Sequence, residues 1–82
     1  MCKVTVEALI ELFGEVIDIS GIKMDTSAVL GDDIPVDSMQ MLRILSRIES
    51  KYRFRFEPAD ILNLKTLGDI LEVVRVRGKI RR

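Results

Sequence analysis

Ile34-Pro35-Val36-Asp37-Ser38-Met39-Gln40-Met41-Leu42 is the stretch on which the reading of this chain turns. Pro35 holds the entering backbone extended and discourages an earlier helical start. Asp37 is a strong N-cap, because its carboxylate can accept amide protons that the first helical turn leaves unpaired. Ser38 then falls on the first helical residue, its hydroxyl on a rim beside those amides and the positive end of the helix dipole. A phosphate ester at that hydroxyl would be favourably placed. An Asp-Ser-hydrophobic triplet is common by chance, so the weight rests on what surrounds it.

The helix opened by Asp37 is expected over about residues 38–52. At about 100° per residue, Met41, Ile44, Leu45, Ile48 and Tyr52 share one side, which faces a core. Gln40, Arg43, Arg47, Ser50 and Lys51 lie roughly opposite. Met39 stands away from the core stripe and Leu42 half off it, both flanking Ser38. A single exposed hydrophobe needs no explanation. Two beside a helix start favour a contact surface.

Upstream, Val6, Leu9, Ile10, Phe13, Val16 and Ile17 recur at helical spacing, with Glu7, Glu11, Glu15 and Asp18 on the other side. This predicts an amphipathic helix over residues 5–18, capped by Thr5. Residues 19–36 carry Gly21, Gly31 and Pro35 and read as a long loop anchored by Val29, Leu30 and Ile34, with room for a helical turn near 26–30. Downstream, Phe54 and Phe56 alternate with Arg53 and Arg55. No partner strand is visible, so an extended connector with one Phe packed inward is expected. Pro58 opens a short third helix. Thr66-Leu67-Gly68-Asp69 fits a capping box, opening a last helix with Leu67, Ile70, Leu71 and Val74 on its stripe and an end near Val76. Gly78 stops it, and residues 77–82 read as a basic, frayed tail.

The expected fold is all-α: one domain over residues 1–76, three longer helices plus one short one, with a long loop between the first and second. With 82 residues and 48% hydrophobic content there is material for one modest core, aliphatic because aromatics are 5%. Charge is zero overall but unevenly spread. Residues 1–37 hold eight acids and two bases; residues 38–82 hold five acids and eleven bases. Cys2 is the only cysteine, so an intrachain disulfide is impossible and a reducing compartment is expected. Glu7 and Glu11 interrupt the early apolar residues, which argues against a signal peptide or membrane insertion. The reading is a cytoplasmic domain. With no histidine in the chain, Ser-His and Cys-His nucleophiles are excluded and a zinc site is disfavoured. Autonomous catalysis is not expected.

This order of elements resembles the acyl carrier protein family, over about residues 4–76. The most specific piece is Asp37-Ser38-Met39, where the family has Asp-Ser-Leu, followed by a helix ending in an aromatic, here Tyr52. Phe56, Leu64-Lys65-Thr66-Leu67 and Asp69-Ile70 fall at matching places. The resemblance implies a monomeric carrier rather than an enzyme. Ser38 would receive 4'-phosphopantetheine from coenzyme A, through a phosphopantetheinyl transferase that supplies metal and base. The arm's thiol would carry acyl intermediates of fatty-acid, lipid or specialised metabolism as thioesters. Asp37 would serve as cap and recognition residue. Met39, Leu42 and Phe56 match positions that contact partner enzymes. Ile44, Ile48, Ile61, Leu62, Leu67 and Ile70 match a lining for an acyl cavity, and are equally the core of a small bundle, which is the heavier reading.

The chain departs from the family in charge. The family's second helix is characteristically acidic, whereas this one offers Gln40, Arg43, Arg47 and Lys51, with Glu49 the main acid retained and Arg53 and Arg55 adding to the basic side. Arg43 and Arg47 thereby join the expected partner contacts, and a dedicated set of acyl-loading and acyl-processing enzymes is implied. The Gly-Gly-x-Ser pattern of peptidyl carriers is missing, but discrete aminoacyl carriers also use Asp-Ser, so that alternative stays open. So does an unmodified helical interaction module with Ser38 only a helix-start residue. A nucleic-acid binder would need a basic face without acidic competition, and the acidic first half argues against it.

Overall fold

Four helices account for the regular structure in the computed structural model, which describes residues 3–79: α1 (Val6–Gly14), α2 (Ser38–Tyr52), α3 (Pro58–Leu62) and α4 (Leu67–Arg77). The all-α expectation holds. Among the described residues the only strand-like pairings are two isolated bridges, Val29 with Thr66 and Leu30 with Ile34. Leu9 and Phe13 of α1, Ile44 and Ile48 of α2, Leu67, Ile70 and Val74 of α4, and Ile34 of the loop are fully buried against one another. No helix among the described residues is long and apolar enough to cross a membrane.

α1 is capped as expected, Thr5 Oγ1 accepting the Ala8 amide at 3.2 Å. It ends at Gly14 and not at residue 18. Beyond it the Val16 and Ile17 amides both turn back to the Phe13 carbonyl, at 3.0 and 2.9 Å. Asp18 then captures the Ser20 amide at 2.9 Å. Glycine at the helix end and a local carboxylate competing for backbone amides together stop propagation. Val16 and Ile17 still pack on the core from the turn, and Leu12, outside the expected stripe, is buried.

The long loop is held by backbone bonds to the start of α4. Leu30 N–H donates to the Lys65 carbonyl at 2.9 Å, Leu67 N–H to Ala28 at 3.1 Å and Gly68 N–H to Thr26 at 2.9 Å. A Cβ on Gly68 would lie 2.8 Å from the Thr26 carbonyl oxygen, so only glycine permits this approach. Gly31, at φ 92°, makes the tight turn that brings its amide to the Ile34 carbonyl at 2.8 Å and seats Ile34 inside. No helical turn forms at 26–30. Asp25 takes the Ser27 amide and hydroxyl instead, at 3.0 and 2.7 Å. The chain is then extended, so successive side chains point to opposite sides. Ala28 is therefore an anchor and Val29, expected to be one, is 37% exposed.

α2 occupies the expected residues. It closes on Arg53, whose left-handed backbone (φ 57°) lets its amide reach the Glu49 carbonyl. Glu49 then reaches forward, its Oε2 accepting the Phe56 amide at 2.8 Å. The connector is extended as expected. Phe56 is buried, with the half-buried Phe54 ring edge-on to it at 4.8 Å. α3 begins at Pro58 and buries none of its residues.

α4 opens with the Thr66–Asp69 capping box. Thr66 Oγ1 accepts the Asp69 amide at 3.2 Å, and Asp69 Oδ2 accepts the Lys65 and Thr66 amides at 2.9 and 3.0 Å. The helix runs one residue past Val76, and Arg77 is no part of a frayed tail. Its guanidinium pairs with Asp60, lies 3.7 Å from Glu57, donates to the Arg55 carbonyl at 2.8 Å and sits over the Phe54 ring. Gly78 ends α4, and the Lys79 amide bonds the Tyr52 carbonyl at 2.7 Å. The rest of the expected tail, residues 80–82, lies outside the described residues, as does Cys2.

Truncating Leu45 or Phe13 to alanine should cost about 2–5 kcal/mol, as buried truncations do. Met39→Ala should cost under about 0.5 kcal/mol, as an exposed change. Urea denaturation of the three variants checks the rotation of α2. The Lys65 and Thr66 amides hold the Asp69 carboxyl below the usual carboxylate range. The unfolded chain therefore binds this proton more readily than the folded one, so the box stabilises above that range and loses its contribution as the pH falls through and below it. Asp69→Asn should flatten the acid side of the stability curve measured by thermal denaturation across pH.

Candidate functional site

The first turn of α2 is fixed by a reciprocal pair of hydrogen bonds. Asp37 Oδ1 accepts the Gln40 amide at 2.8 Å, and Gln40 Oε1 accepts the Asp37 amide at 3.0 Å. Asp37 is the expected cap. Gln40, expected only on the polar side of the helix, is the other half of the box. Asp-x-x-Gln spacing before an apolar run was the available signal. The Met41 amide bonds the Asp37 carbonyl at 2.9 Å. That leaves the amides of Ser38 and Met39 to face outward at the helix N-terminus.

Ser38 is exposed on this rim. It forms part of the mouth of an open groove of about 220 Å³, whose apolar walls are Leu30, Val36, Met41, Leu45, Ile61 and Leu64. The groove runs between α2, the long loop and α3. Ser27, a competing hydroxyl on the neighbouring loop, is hydrogen-bonded to Asp25.

The residues expected to line a cavity divide. Ile44, Ile48, Leu67 and Ile70 are fully buried core. Ile61 is on the groove wall, and Leu62 is 82% exposed on the outer side of α3. Leu62 is thus corrected: a five-residue helix with no buried face turns one apolar side chain to the groove and the next to solvent. The other walls, Leu30, Val36, Met41, Leu45 and Leu64, are not declared by the sequence, because Leu30 and Val36 come from the long loop, Leu64 from the turn between α3 and α4, and Met41 and Leu45 read as core stripe.

On the other flank of Ser38, Met39 and Leu42 are 64% and 57% exposed. With Arg43, Ser46 and Arg47 they line a second, shallower groove. The expected grouping of Met39, Leu42, Arg43 and Arg47 is therefore real in space. Phe56 does not join it, because its ring is buried in the core. Nor is Arg47 an unopposed cation: it pairs with Glu15 at 2.8 Å, both side chains half exposed.

The family described as "Phosphopantetheine attachment site" matches residues 7–74. An acyl carrier protein of Acidothermus cellulolyticus is 30% identical over 66 residues, covering 80% of this chain and 79% of that protein. One of Rhodococcus erythropolis is 31% identical over 77 residues, covering 87% and 82%. A meromycolate extension acyl carrier protein of Mycolicibacterium aurum is 27% identical over 70 residues, covering 85% and 72%. No solved structure matches the chain significantly.

Asp37→Ala removes the acceptor for the Gln40 amide and should destabilise the fold by about 0.5–2 kcal/mol, the usual cost of losing a cap. Denaturation gives the cost. Amide exchange should quicken most in the first turn of α2, while Ile44 and Ile48 quicken only by the factor that the global loss of stability sets.

Proposed function

The chain belongs to the acyl carrier protein family, carries acyl groups in fatty-acid or specialised acyl-chain metabolism on covalent 4'-phosphopantetheine, and we propose that Ser38 is where that group is attached. The observation that carries this reading is the position of the hydroxyl: exposed, first in a capped helix, and at the mouth of an apolar groove. The site suits the group. A phosphodiester at Ser38 meets outward amides and the positive end of a 15-residue helix, which tolerates an anion without any added lysine. Asp37, though anionic, is turned to the Gln40 amide.

In this reading Ser38 Oγ attacks the pyrophosphate phosphorus of coenzyme A that bears the pantetheine arm and loses its proton to a base on a phosphopantetheinyl transferase. The P–O bond to the nucleotide half breaks, adenosine 3',5'-bisphosphate departs, and Ser38 is left as one ester of a phosphodiester. The metal for that step comes from the transferase. The terminal thiol of the attached arm supplies the thioester bond. The remaining work of this chain is placement and shelter, and it acts as a carrier rather than a catalyst. Ser38 is the first residue of a helix anchored in the core by Ile44, Leu45, Ile48 and Tyr52, not part of the loop before it. Ile61, Leu64, Met41 and Leu45 offer apolar contact to a chain attached beside them, which favours acyl over polar aminoacyl cargo. Met39, Leu42, Arg43 and Arg47 form the surface on which processing enzymes, a set dedicated to this carrier, would settle. Asp37 would be read together with Ser38 by the transferase.

Incubation with coenzyme A, magnesium and a broad-specificity transferase should add one phosphopantetheine, seen as a single mass increment. Ser38→Ala should abolish the addition while leaving the helical circular dichroism unchanged. Modification at Ser27, Ser46 or Ser50, or none under conditions that modify a control carrier, would end the Ser38 assignment.

A further inference from the structure

Two shallow grooves lie end to end along the solvent side of α2 and meet at Ser46. The first, about 390 Å³, is walled by Met39, Leu42, Arg43 and Arg47. The second, about 450 Å³, is walled by Glu49, Ser50, Phe54 and Arg55. Fifteen helical residues at a rise of 1.5 Å each make a strip roughly 22 Å long. Its apolar end is beside Ser38, and its basic part follows.

The charges on this strip do not cancel. Glu49 is the only carboxylate on either groove wall, and its Oε2 is engaged by the Phe56 amide at 2.8 Å. Arg47 is already matched by Glu15. Arg43 and Arg55 have no carboxylate partner among the described residues. On α4 the arginines are paired, Arg75 with Glu72 and Arg77 with Asp60. Unneutralised guanidinium, Arg43 on α2 and Arg55 in the connector just past it, therefore lies alongside exposed apolar surface on the side of the molecule that begins at Ser38.

We propose that the acyl-processing partners of this chain dock on the α2 strip through an acidic surface: carboxylates opposite Arg43 and Arg55, around an apolar recess that takes Met39 and Leu42. The proposal rests on the Ser38 reading, since docking here brings the residue next to Met39 to the rim of the partner's site. A partner with a basic docking surface is repelled by the same two arginines. An anionic lipid surface shares the charge preference but wants a broad apolar helix face. α2 turns that face, Ile44, Leu45, Ile48 and Tyr52, into the core.

The test is a charge swap with phosphopantetheinylated protein. One probe is a fatty-acid condensing enzyme whose carrier-docking surface is rich in lysine and arginine. The other is the same enzyme with those residues changed to glutamate. The wild-type carrier should bind the glutamate form at least ~tenfold more tightly at low salt, and the gap should narrow as salt screens it. Arg43→Glu with Arg55→Glu should reverse the preference, and Arg43→Gln with Arg55→Gln should erase it. Circular dichroism establishes that each double variant is folded. Equal affinity for the two enzyme forms, no binding to the glutamate form, or a preference untouched by salt or by the double variants overturns the proposal. Binding of wild type but not the Glu variant to phosphatidylglycerol vesicles, with no discrimination between the enzymes, overturns it in favour of a lipid surface. The mass increment at Ser38 is scored separately. Its absence overturns both readings, whereas an intact increment without discrimination overturns the acidic partner alone.

Discussion

The reciprocal hydrogen bonds between Asp37 and Gln40 fix where α2 begins, and the burial of Ile44 and Ile48 fixes how it is turned. Everything around the site follows from those two settings. A start one residue later would put Met39 on the rim beside the unpaired amides and leave Ser38 in the extended approach. With the start and rotation as they are, Ser38 stands at the end of the dipole and Met41 and Leu45 face the groove. Met39 and Leu42 face solvent. One capping box thus separates an apolar wall on one side of the serine from an apolar patch on the other.

The loop before α2 is held by a different device. A connection this long would leave many backbone groups to water or to one another. Here several go to the start of α4, through Lys65, Leu67 and Gly68. The bonding that satisfies the loop also brings Leu30 to the groove wall. Asp69 supports the arrangement from beneath, since its carboxylate holds the Lys65 and Thr66 amides while the Lys65 carbonyl receives Leu30. The loop is irregular in conformation but not in hydrogen bonding.

What the sequence made legible was local. Caps at Thr5, Asp37 and Thr66, the proline opening α3 and the glycine closing α4 act within a turn of their own positions, and each marks its boundary. The apolar stripe of α2 was equally readable, because burial on one side imposes its period directly. What escaped depends on partners far along the chain. Arg47 meets Glu15 across 32 residues, and Arg77 meets Asp60 across 17, so the first reads from sequence only as a partner-facing charge and the second only as the start of a loose end. Val29 and Ala28 exchanged roles because alternation in an extended segment has no fixed phase until its neighbours are known. Leu62 and Phe56 were misplaced for the converse reason: an apolar residue in a short element does not declare whether any partner awaits it.

α3 is five residues long and buries no side chain. Helices this short do not persist on their own. Arg77 of α4 fastens it through an ion pair with Asp60 and lies 3.7 Å from Glu57 at its cap. The body of α2, by contrast, can move only if Ile44, Leu45 and Ile48 leave the core. Regions with little buried apolar contact open by sub-global fluctuation, at a free energy well below that of unfolding the whole domain. The two walls of the groove beside Ser38 are thus held unequally: one is clamped by the core, the other is fastened at the surface.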